Sequence, residues 1–465
     1  MRNANNSLSA REAAIIVLSA YRRKKAWSDL ALNSVADRSG LSQLETALAL
    51  QLVYGVLQNM ALLDFYAAHY SNIELKRLEP RVLDILRISI YQIAFLTKIP
   101  HNAAVNEGVK LTKKFSNQRA AGYVNALLRK ISKAMSEGTL PEVGGSLMYN
   151  LSTRYSHPEW LVSEINELLG ESACEDLLTE NNSDKTPVTV QVNTLLTDTE
   201  TVLSALLEEE IDAKRHEWLD DCLELSGAGN ITRLEVYSKG FIYIQDAAAR
   251  LSVIAANPKK GDIVVDGCAA PGGKSFASAI MMENIGQIIA GDVHAAKLRH
   301  IENGCERMGI SIIEGIEMDA SDDSTCIQVF AKIGDNTKSG NFIGVADVVL
   351  ADVPCSGFGI IRKKPEIRYK SRQEVSGLPE IQKKIITTMS KHVKPGGVLL
   401  YSTCTFLRSE NEDIIEFFLK ENDSFVTEGF VLPGIGEVPD GMLTLWPHVH
   451  GTDGFFICKL RRKNS

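Results

Sequence analysis

From residue 8 to residue 135 apolar side chains recur at spacings of three and four, as in Leu48, Leu52 and Val56 or Val82, Leu86 and Ile90, with proline only at Pro80 and Pro100. That period puts one stripe of an α-helix into a core, so the region reads as helix after helix. Gly138, Pro141, Gly144 and Gly145 break the pattern, and a linker is expected there. Helical spacing returns around 158–180, and PVTVQVNT at 187–194 then alternates apolar and polar positions as a half-buried strand does. A helix over 199–209 and short strands near 213 and 223 complete a small α+β module. From 240 onward strand and helix patterns take turns, with seven strand candidates at 262–266, 287–291, 311–317, 346–351, 397–403, 424–430 and 454–460. Such alternation predicts a doubly wound, largely parallel sheet whose ligands bind at the carboxyl ends of the strands. The expected organisation is therefore multidomain: all-α over 1–140, small α+β over 146–238 and α/β over 239–465.

Composition agrees, since 465 residues are too many for one ordinary core and 45% hydrophobic with 23% charged residues is a globular balance. AAIIVLSAY after Arg11 could pass for the apolar part of a signal peptide, but Ser9 and Glu12 match a capping box and RRKK follows at 22–25 without a small-residue cleavage site. No apolar run approaches the roughly 20 residues of a membrane helix, so no membrane partner is expected. Eight sparse cysteines without a CxxC pair suggest neither a disulfide framework nor zinc, and point to a reducing, cytoplasmic setting. In HVHGTD, His448, His450 and Asp453 lack an evident fourth ligand, and Asp453-Gly454 reads as a turn, so no metal is expected.

The net charge of −8 argues against indiscriminate nucleic-acid binding, yet the charge is uneven. Residues 98–133 hold eight Lys or Arg against Glu107 alone, and 362–372 hold six against Glu366 alone. A solvated helix face and an RNA-binding face explain the first cluster equally well. The second lies beside the strand ends that carry the candidate chemistry, where a polyanionic substrate explains it better.

Those strand ends are distinctive. The first α/β strand runs into DGCAAPGGKS at 266–275, where small residues allow a tight turn close to a ligand and a helix amino terminus follows. Cys268 stands where a Walker A loop needs its first glycine, Pro271 intrudes, and GxGxxG is absent, so this is not a phosphate cradle. Asp292 ends the second strand, placed to hold both hydroxyls of a ribose, and Asp319 ends the third, within reach of an adenine edge. A ribose and an adenine without a demanding phosphate site fit S-adenosylmethionine. Further on, ADVVLADVPCSGFG at 346–359 ends its apolar run on Asp352 with Cys355 just beyond, and GVLLYST at 397–403 ends on Cys404. Either thiol alone is most simply a small core filler; two at the ends of neighbouring strands point to a shared crevice.

CAAPGGK at 268–274, DVPCSGFGIIRKKPEIRY at 352–369 and YSTCT at 401–405 together resemble the RNA cytosine-5 methyltransferases of the Sun (Fmu) family. AVNE at 104–107 and YVNALLRKI at 123–131 resemble the RNA-binding fold of the antitermination factor NusB. The resemblance spans nearly the whole chain and implies a NusB-like amino-terminal domain and a Rossmann-like class I S-adenosylmethionine-dependent methyltransferase domain. It implies that the cofactor is held by Cys268, Ala269, Ala270, Pro271, Gly272, Gly273, Lys274, Asp292, Asp319 and Asp352, and that Cys404 is the nucleophile. Val353, Glu366, Tyr369 and Thr405 stand where the family has alanine, aspartate, tryptophan and serine, which touches the positioning of RNA rather than the reaction.

The chemistry explains two thiols. Carbon 5 of cytosine is a poor nucleophile, so a thiolate must first add to carbon 6 and make carbon 5 enamine-like. A free thiol has a pKa of about 8.5, so its setting must favour the thiolate, and Lys274 and the basic 362–372 stretch are candidate sources of that field. Asp352 is placed to pair with the polar edge of the cytosine, and Cys355 to assist release once carbon 5 loses its proton. The resemblance implies that small-subunit ribosomal RNA is the substrate; the expected protein is a cytoplasmic monomer, with flanking RNA held through phosphates by the amino-terminal basic face. Another RNA or DNA as substrate, or a NusB-like transcription factor with an inert carboxyl domain, are the competing readings.

Overall fold

In the computed structural model, residues 8–24, 28–183, 186–324 and 344–464 are described. Their contacts form two units, Met1–Ser183 with Lys364–Tyr369, and Asp184–Lys363 with Lys370–Ser465. Lys25, the last residue of the RRKK run, and residues 325–343 lie outside the described residues.

The first unit is helical throughout, from Ala10–Lys24 to Glu171–Glu180. Its first helix opens on a reciprocal pair, Ser9 N–H to Glu12 Oε2 at 3.1 Å and Glu12 N–H to Ser9 Oγ at 3.3 Å, which satisfies amide groups the helix itself leaves free. Asn117 caps Gln118–Glu137 through the Ala120 N–H, and Gly138 at φ 66° closes it. The longest helix, Gln43–Tyr70, has 28 residues and is long and apolar enough to cross a membrane by length and composition, contrary to the expectation that no run comes close. Its apolar face is core: Leu52, Val53, Val56 and Leu57 are fully buried. At Gly55 a Cβ would stand 1.9 Å from the Tyr91 ring, so the missing side chain is what lets that ring pack on the helix.

Six residues from late in the chain complete this unit. Arg368 has no exposed surface and donates to Pro365 O, Gln58 O, Tyr155 O, Asn181 O and Asn182 Oδ1 at 2.6–3.1 Å. Tyr369 donates to Leu57 O at 2.6 Å, and Glu366 Oε1 accepts from the Ser28 N–H and hydroxyl at 2.9 and 2.8 Å.

In the second unit, strands β1 (Val188–Val192), β2 (Asp212–Arg215), β3 (Cys222–Ser226) and β4 (Ile242–Ile244) form an antiparallel sheet in the order β2-β3-β1-β4. β4 is too short to show alternation and was not anticipated; it is tied by the register Val190↔Ile244. Asn193 anchors this sheet by donating to Gly240 O and Met308 O at 3.0 and 2.9 Å. The large sheet holds β5 (Ile263–Asp266), β6 (Gln287–Asp292), β7 (Ile313–Glu317), β8 (Ala346–Asp352), β9 (Val393–Thr403), β10 (Phe425–Thr427) and β14 (Phe455–Arg462), in the order β10-β14-β9-β8-β5-β6-β7. Pairs from β7 to β9 are parallel, whereas β14 and β10 run antiparallel. This is a Rossmann-like arrangement, and the strand ends that carry the candidate chemistry share one edge.

Two details differ from expectation. The strand foreseen at 424–430 divides into β10 and β11 (Phe430–Leu432), which pairs with β12 (Gly436–Val438) in a separate hairpin. Between them Gly429 passes so close to Pro439 that a Cβ would lie 2.9 Å from its carbonyl oxygen. The second is β13 (Met442–Leu445), which extends the sheet beyond β14.

Candidate active site

Sheet register places the candidate side chains. Asp352 stands opposite Ser402 on β8 and β9, and the Ser402 hydroxyl donates to Asp352 Oδ1 at 2.8 Å. Both chains then turn out of the sheet, and Cys355 Sγ and Cys404 Sγ come within 3.2 Å as free thiols. The turn is held where glycines let backbones touch: Gly359 N–H donates to Cys404 O and Gly454 N–H to Gly359 O, each at 2.9 Å. A Cβ on Gly359 would lie 1.8 Å from Gly454 O. The contact with Cys404 and burial push the Cys355 thiol well above its ordinary value, helped by the charges of Glu410 and Asp352. Cys355 is therefore a thiol at neutral pH and can donate its S–H toward Cys404.

Lys274 is nearly buried and meets Asp352 Oδ2 at 2.6 Å, with its ammonium 5.0 Å from the Phe455 ring centroid. Its charge is thus paired with the carboxylate at the end of β8 rather than set directly against either sulfur. The residues before it form a tight loop, with Ala269 N–H bonded to Gly291 O at 2.8 Å and Gly272 N–H to Ala269 O at 2.7 Å. Ala270–Pro271 is cis and Gly272 takes φ 113°, a conformation side chains disfavour. Cys268, between these turns, has its thiol pushed up by burial and the surrounding carboxylates. Helix Gly273–Met281 starts there, and Ser275 donates to the buried Asp266 at 2.8 Å. Desolvation raises the Asp266 pKa from 3.8 to about 6.

Across the neighbouring strand ends, Asp292 Oδ1 accepts from His294 N–H at 2.9 Å with Lys297 at 3.6 Å, and Asp319 Oδ1 accepts from the Ser321 N–H and hydroxyl. Met318 N–H, one residue before Asp319, donates to Asp292 O at 3.1 Å. The site thus gathers Lys274, Asp352, Cys355 and Cys404 on one side and Asp292 and Asp319 on the other.

Four of the six cations of the basic 362–372 stretch have internal partners, as burial demands of a charge, whereas Arg372 is exposed. Lys363 bridges the carboxylates of Asp246 and Asp453, Arg362 donates to Gly451 O at 2.9 Å, Lys370 donates to Ser356 O at 2.7 Å, and Arg368 is wholly internal. Asp453 of HVHGTD accordingly faces cations, and burial raises its pKa to about 6. By contrast Lys98, Lys110, Lys113, Lys114, Arg119, Arg129, Lys130 and Lys133 are all exposed.

Sequence reasoning did not single out Ser402, Gln382 or Glu410. Ser402 lies opposite Asp352, and the register of two parallel strands was enough to find it. Glu410 Oε2 accepts from Ser356 N–H at 2.9 Å and from Gln382 Nε2 at 2.8 Å, a convergence from a distant helix that no local pattern announces.

Comparison with known proteins accounts for the entire layout. Residues 253–461 match the family described as 16S rRNA methyltransferase RsmB/F, 8–133 match the NusB family, and 157–232 match the RsmF/B-like ferredoxin-like domain. The chain is 35% identical over 463 residues to the probable ribosomal RNA small subunit methyltransferase B of Bacillus subtilis (strain 168), covering 98% of this chain and 99% of the relative. It is 30% identical to the protein of that name from Synechocystis sp., covering 98% of this chain and 100% of the relative. The solved structure of PH0851 superposes with a TM-score of 0.79 at 26% identity, covering 98% of this chain and all of that one. The chain belongs to the RsmB/F family of 16S rRNA methyltransferases.

Proposed function

We propose that this rRNA methyltransferase acts on carbon 5 of a cytosine in 16S rRNA, with S-adenosylmethionine as methyl donor and Cys404 as nucleophile. The observation that carries the reading is the pair of free thiols 3.2 Å apart beside the Lys274–Asp352 ion pair. A methyl transfer to an oxygen or an exocyclic nitrogen needs no thiol nucleophile, and none of that chemistry would call for two.

The donor set fits S-adenosylmethionine. Carboxylates at the ends of β6 and β7 suit ribose hydroxyls and an adenine amine, and the tight loop Cys268–Lys274 exposes backbone toward the amino end of a helix, which suits the methionyl carboxylate. Cys268, Ala269, Ala270, Pro271, Gly272, Gly273, Asp292 and Asp319 would hold it, and once bound it supplies an electrophilic methyl group. Asp352, steadied by Ser402 and Lys274, would face the polar edge of the cytosine. Cys404 adds to carbon 6, with the Cys355 S–H as a donor where the attacking sulfur carries its charge. After transfer the carbon 5 proton passes to Cys355, which takes it as the thiolate once its own proton has gone to solvent, and Cys404 leaves as the carbon 5–carbon 6 double bond re-forms.

In the same reading, residues 1–140 contribute phosphate contacts, 146–238 support the RNA, and 239–465 carry out the reaction. The test is methylation of purified 16S rRNA, assembled small subunits and transfer RNA with labelled S-adenosylmethionine, followed by mapping of the modified base. Label on a base other than cytosine, or on transfer RNA alone, refutes the proposal.

A further inference from the structure

We propose that Glu410, together with Gln382, is a positioning residue that holds Cys355 for the release step; this rests on the division of labour between Cys404 and Cys355 proposed above. Glu410 closes the short turn Arg408–Glu410 and is 1% exposed, a burial that a carboxylate tolerates only with partners. Its Oε2 accepts from Ser356 N–H at 2.9 Å and from Gln382 Nε2 at 2.8 Å. The Gln382 amide nitrogen also donates to Pro354 O at 3.0 Å. Pro354 and Ser356 flank Cys355, so the peptide groups on both sides of the thiol are tied to one buried pair.

The same pair is fixed from the Cys404 side. Tyr401, on β9, donates to Glu410 O at 2.6 Å, and the Ser356 hydroxyl donates to Thr405 Oγ1 at 2.8 Å. Asn411, next to Glu410, donates to Thr405 O at 3.0 Å and accepts from Thr403 Oγ1 at 2.6 Å. Glu410 thus sits where the loops of the two cysteines are laced together, although among the described residues its side-chain bonds run to the Cys355 loop and its support. Oε1 is buried without a hydrogen-bond partner, which makes the carboxylate a costly choice for mere filling. Freeing Ser356 N–H and Pro354 O would let Cys355 drift while Cys404, on the end of a sheet strand, keeps its place. The expected defect therefore falls on release and spares attack.

The experiment follows single turnovers on 16S rRNA with labelled S-adenosylmethionine, reading methyl transfer and the denaturation-resistant, RNase-sensitive enzyme–RNA band separately. Wild type, C355A, E410A, E410Q and Q382L are compared, with cofactor affinity as the check that each is folded. E410A should transfer methyl at near the wild-type rate and release roughly ten- to a hundredfold more slowly, the size expected of a misplaced catalytic group, so the band accumulates as it does in C355A. E410Q keeps an acceptor for both donors and should release normally. Wild-type release in E410A overturns the proposal, as does equal loss of transfer and release in a variant that still binds cofactor. A band in E410Q as strong as in E410A would also overturn it, since charge and not position would then matter. If E410A does not fold, Q382L decides, because it frees Pro354 O while leaving the Glu410–Ser356 bond in place and should slow release in the same direction. Absence of the band in C355A removes the release role itself and the clamp with it; a band in C355A but in neither E410A nor Q382L removes the clamp alone.

Discussion

Replacing Arg368 by methionine distinguishes two uses of a cation in a basic stretch. If the guanidinium served RNA, the variant would keep its stability, since exposed substitutions cost within about 0.5 kcal/mol, and the salt dependence of RNA binding would weaken by about one phosphate contact. The structure predicts the reverse. Arg368 reaches five acceptors, the carbonyls of Pro365, Gln58, Tyr155 and Asn181 and the side chain of Asn182. Methionine can serve none, and each buried acceptor left bare costs about 1 kcal/mol or more. Relief of a desolvated charge offsets part of that sum; burial already lowers the Arg368 pKa from 12.5 to about 10, while leaving it charged at neutral pH. The net loss should be roughly 3 to 5 kcal/mol, as when one member of a buried charged network is removed. Urea unfolding of the full chain, with hydrogen exchange at the helices Leu147–Tyr155 and Glu171–Glu180, measures it. A change below about 0.5 kcal/mol together with a shallower salt slope would refute the internal role.

Four further outcomes are expected. Asp292→Ala should weaken S-adenosylmethionine binding roughly ten- to a hundredfold by removing an ionised acceptor, and calorimetry reads this directly. Cys404→Ala should abolish both transfer and the covalent RNA complex, whereas Cys355→Ala should accumulate a cofactor-dependent complex; the opposite pattern would exchange the two roles. Asp266→Asn should stabilise the protein by up to about 3 kcal/mol above pH 6, because the wild-type carboxyl, with its pKa raised from 3.8 to about 6, must ionise in a buried site; the folded state holds that proton longer than the unfolded one, so wild-type stability falls as pH rises from about 4 to 6, and thermal melts of the two proteins should converge below pH 4. Reversing Lys113, Lys114 and Lys130 to Glu should lower RNA affinity at low salt and leave cofactor affinity unchanged, and unchanged RNA affinity would make that face merely solvated.

Periodicity carries far in this chain because most of its elements are long or regularly alternating. The helices of the first unit follow the three-and-four spacing of Val82, Leu86 and Ile90, and six of the seven strand candidates of the α/β region match single strands of the large sheet. What escaped was short or used side chains against local rule. β4 has three residues, and the break between β10 and β11 falls at a glycine packed under Pro439. In the site, Asp352, Cys355 and Cys404 were visible because each follows an apolar run directly. Glu410 and Gln382 were not, since their bonds to the Cys355 loop span 54 and 28 residues.

The inward turn of four cations of the basic stretch has a physical origin. Counting charges along a chain assumes that cations face water, and a stretch that leaves one folding unit after Lys363 and rejoins it at Lys370 breaks that assumption. Lys363 neutralises Asp246 and Asp453, and its pKa is raised by those carboxylates against the pull of burial. Arg362, Arg368 and Lys370 bond main-chain carbonyls. These groups fix the chain on either side of Arg368, while the lysines and arginines of 98–133 are exposed. The proposed site has its own electrostatics: a Lys274–Asp352 pair at the strand end and a Cys355 S–H held protonated against Cys404. If recognition charge and reaction charge are carried by different residues, raising salt should weaken RNA capture without altering the single-turnover rate at saturating RNA. A saturated rate that fell in parallel with affinity would mean that the same cations do both.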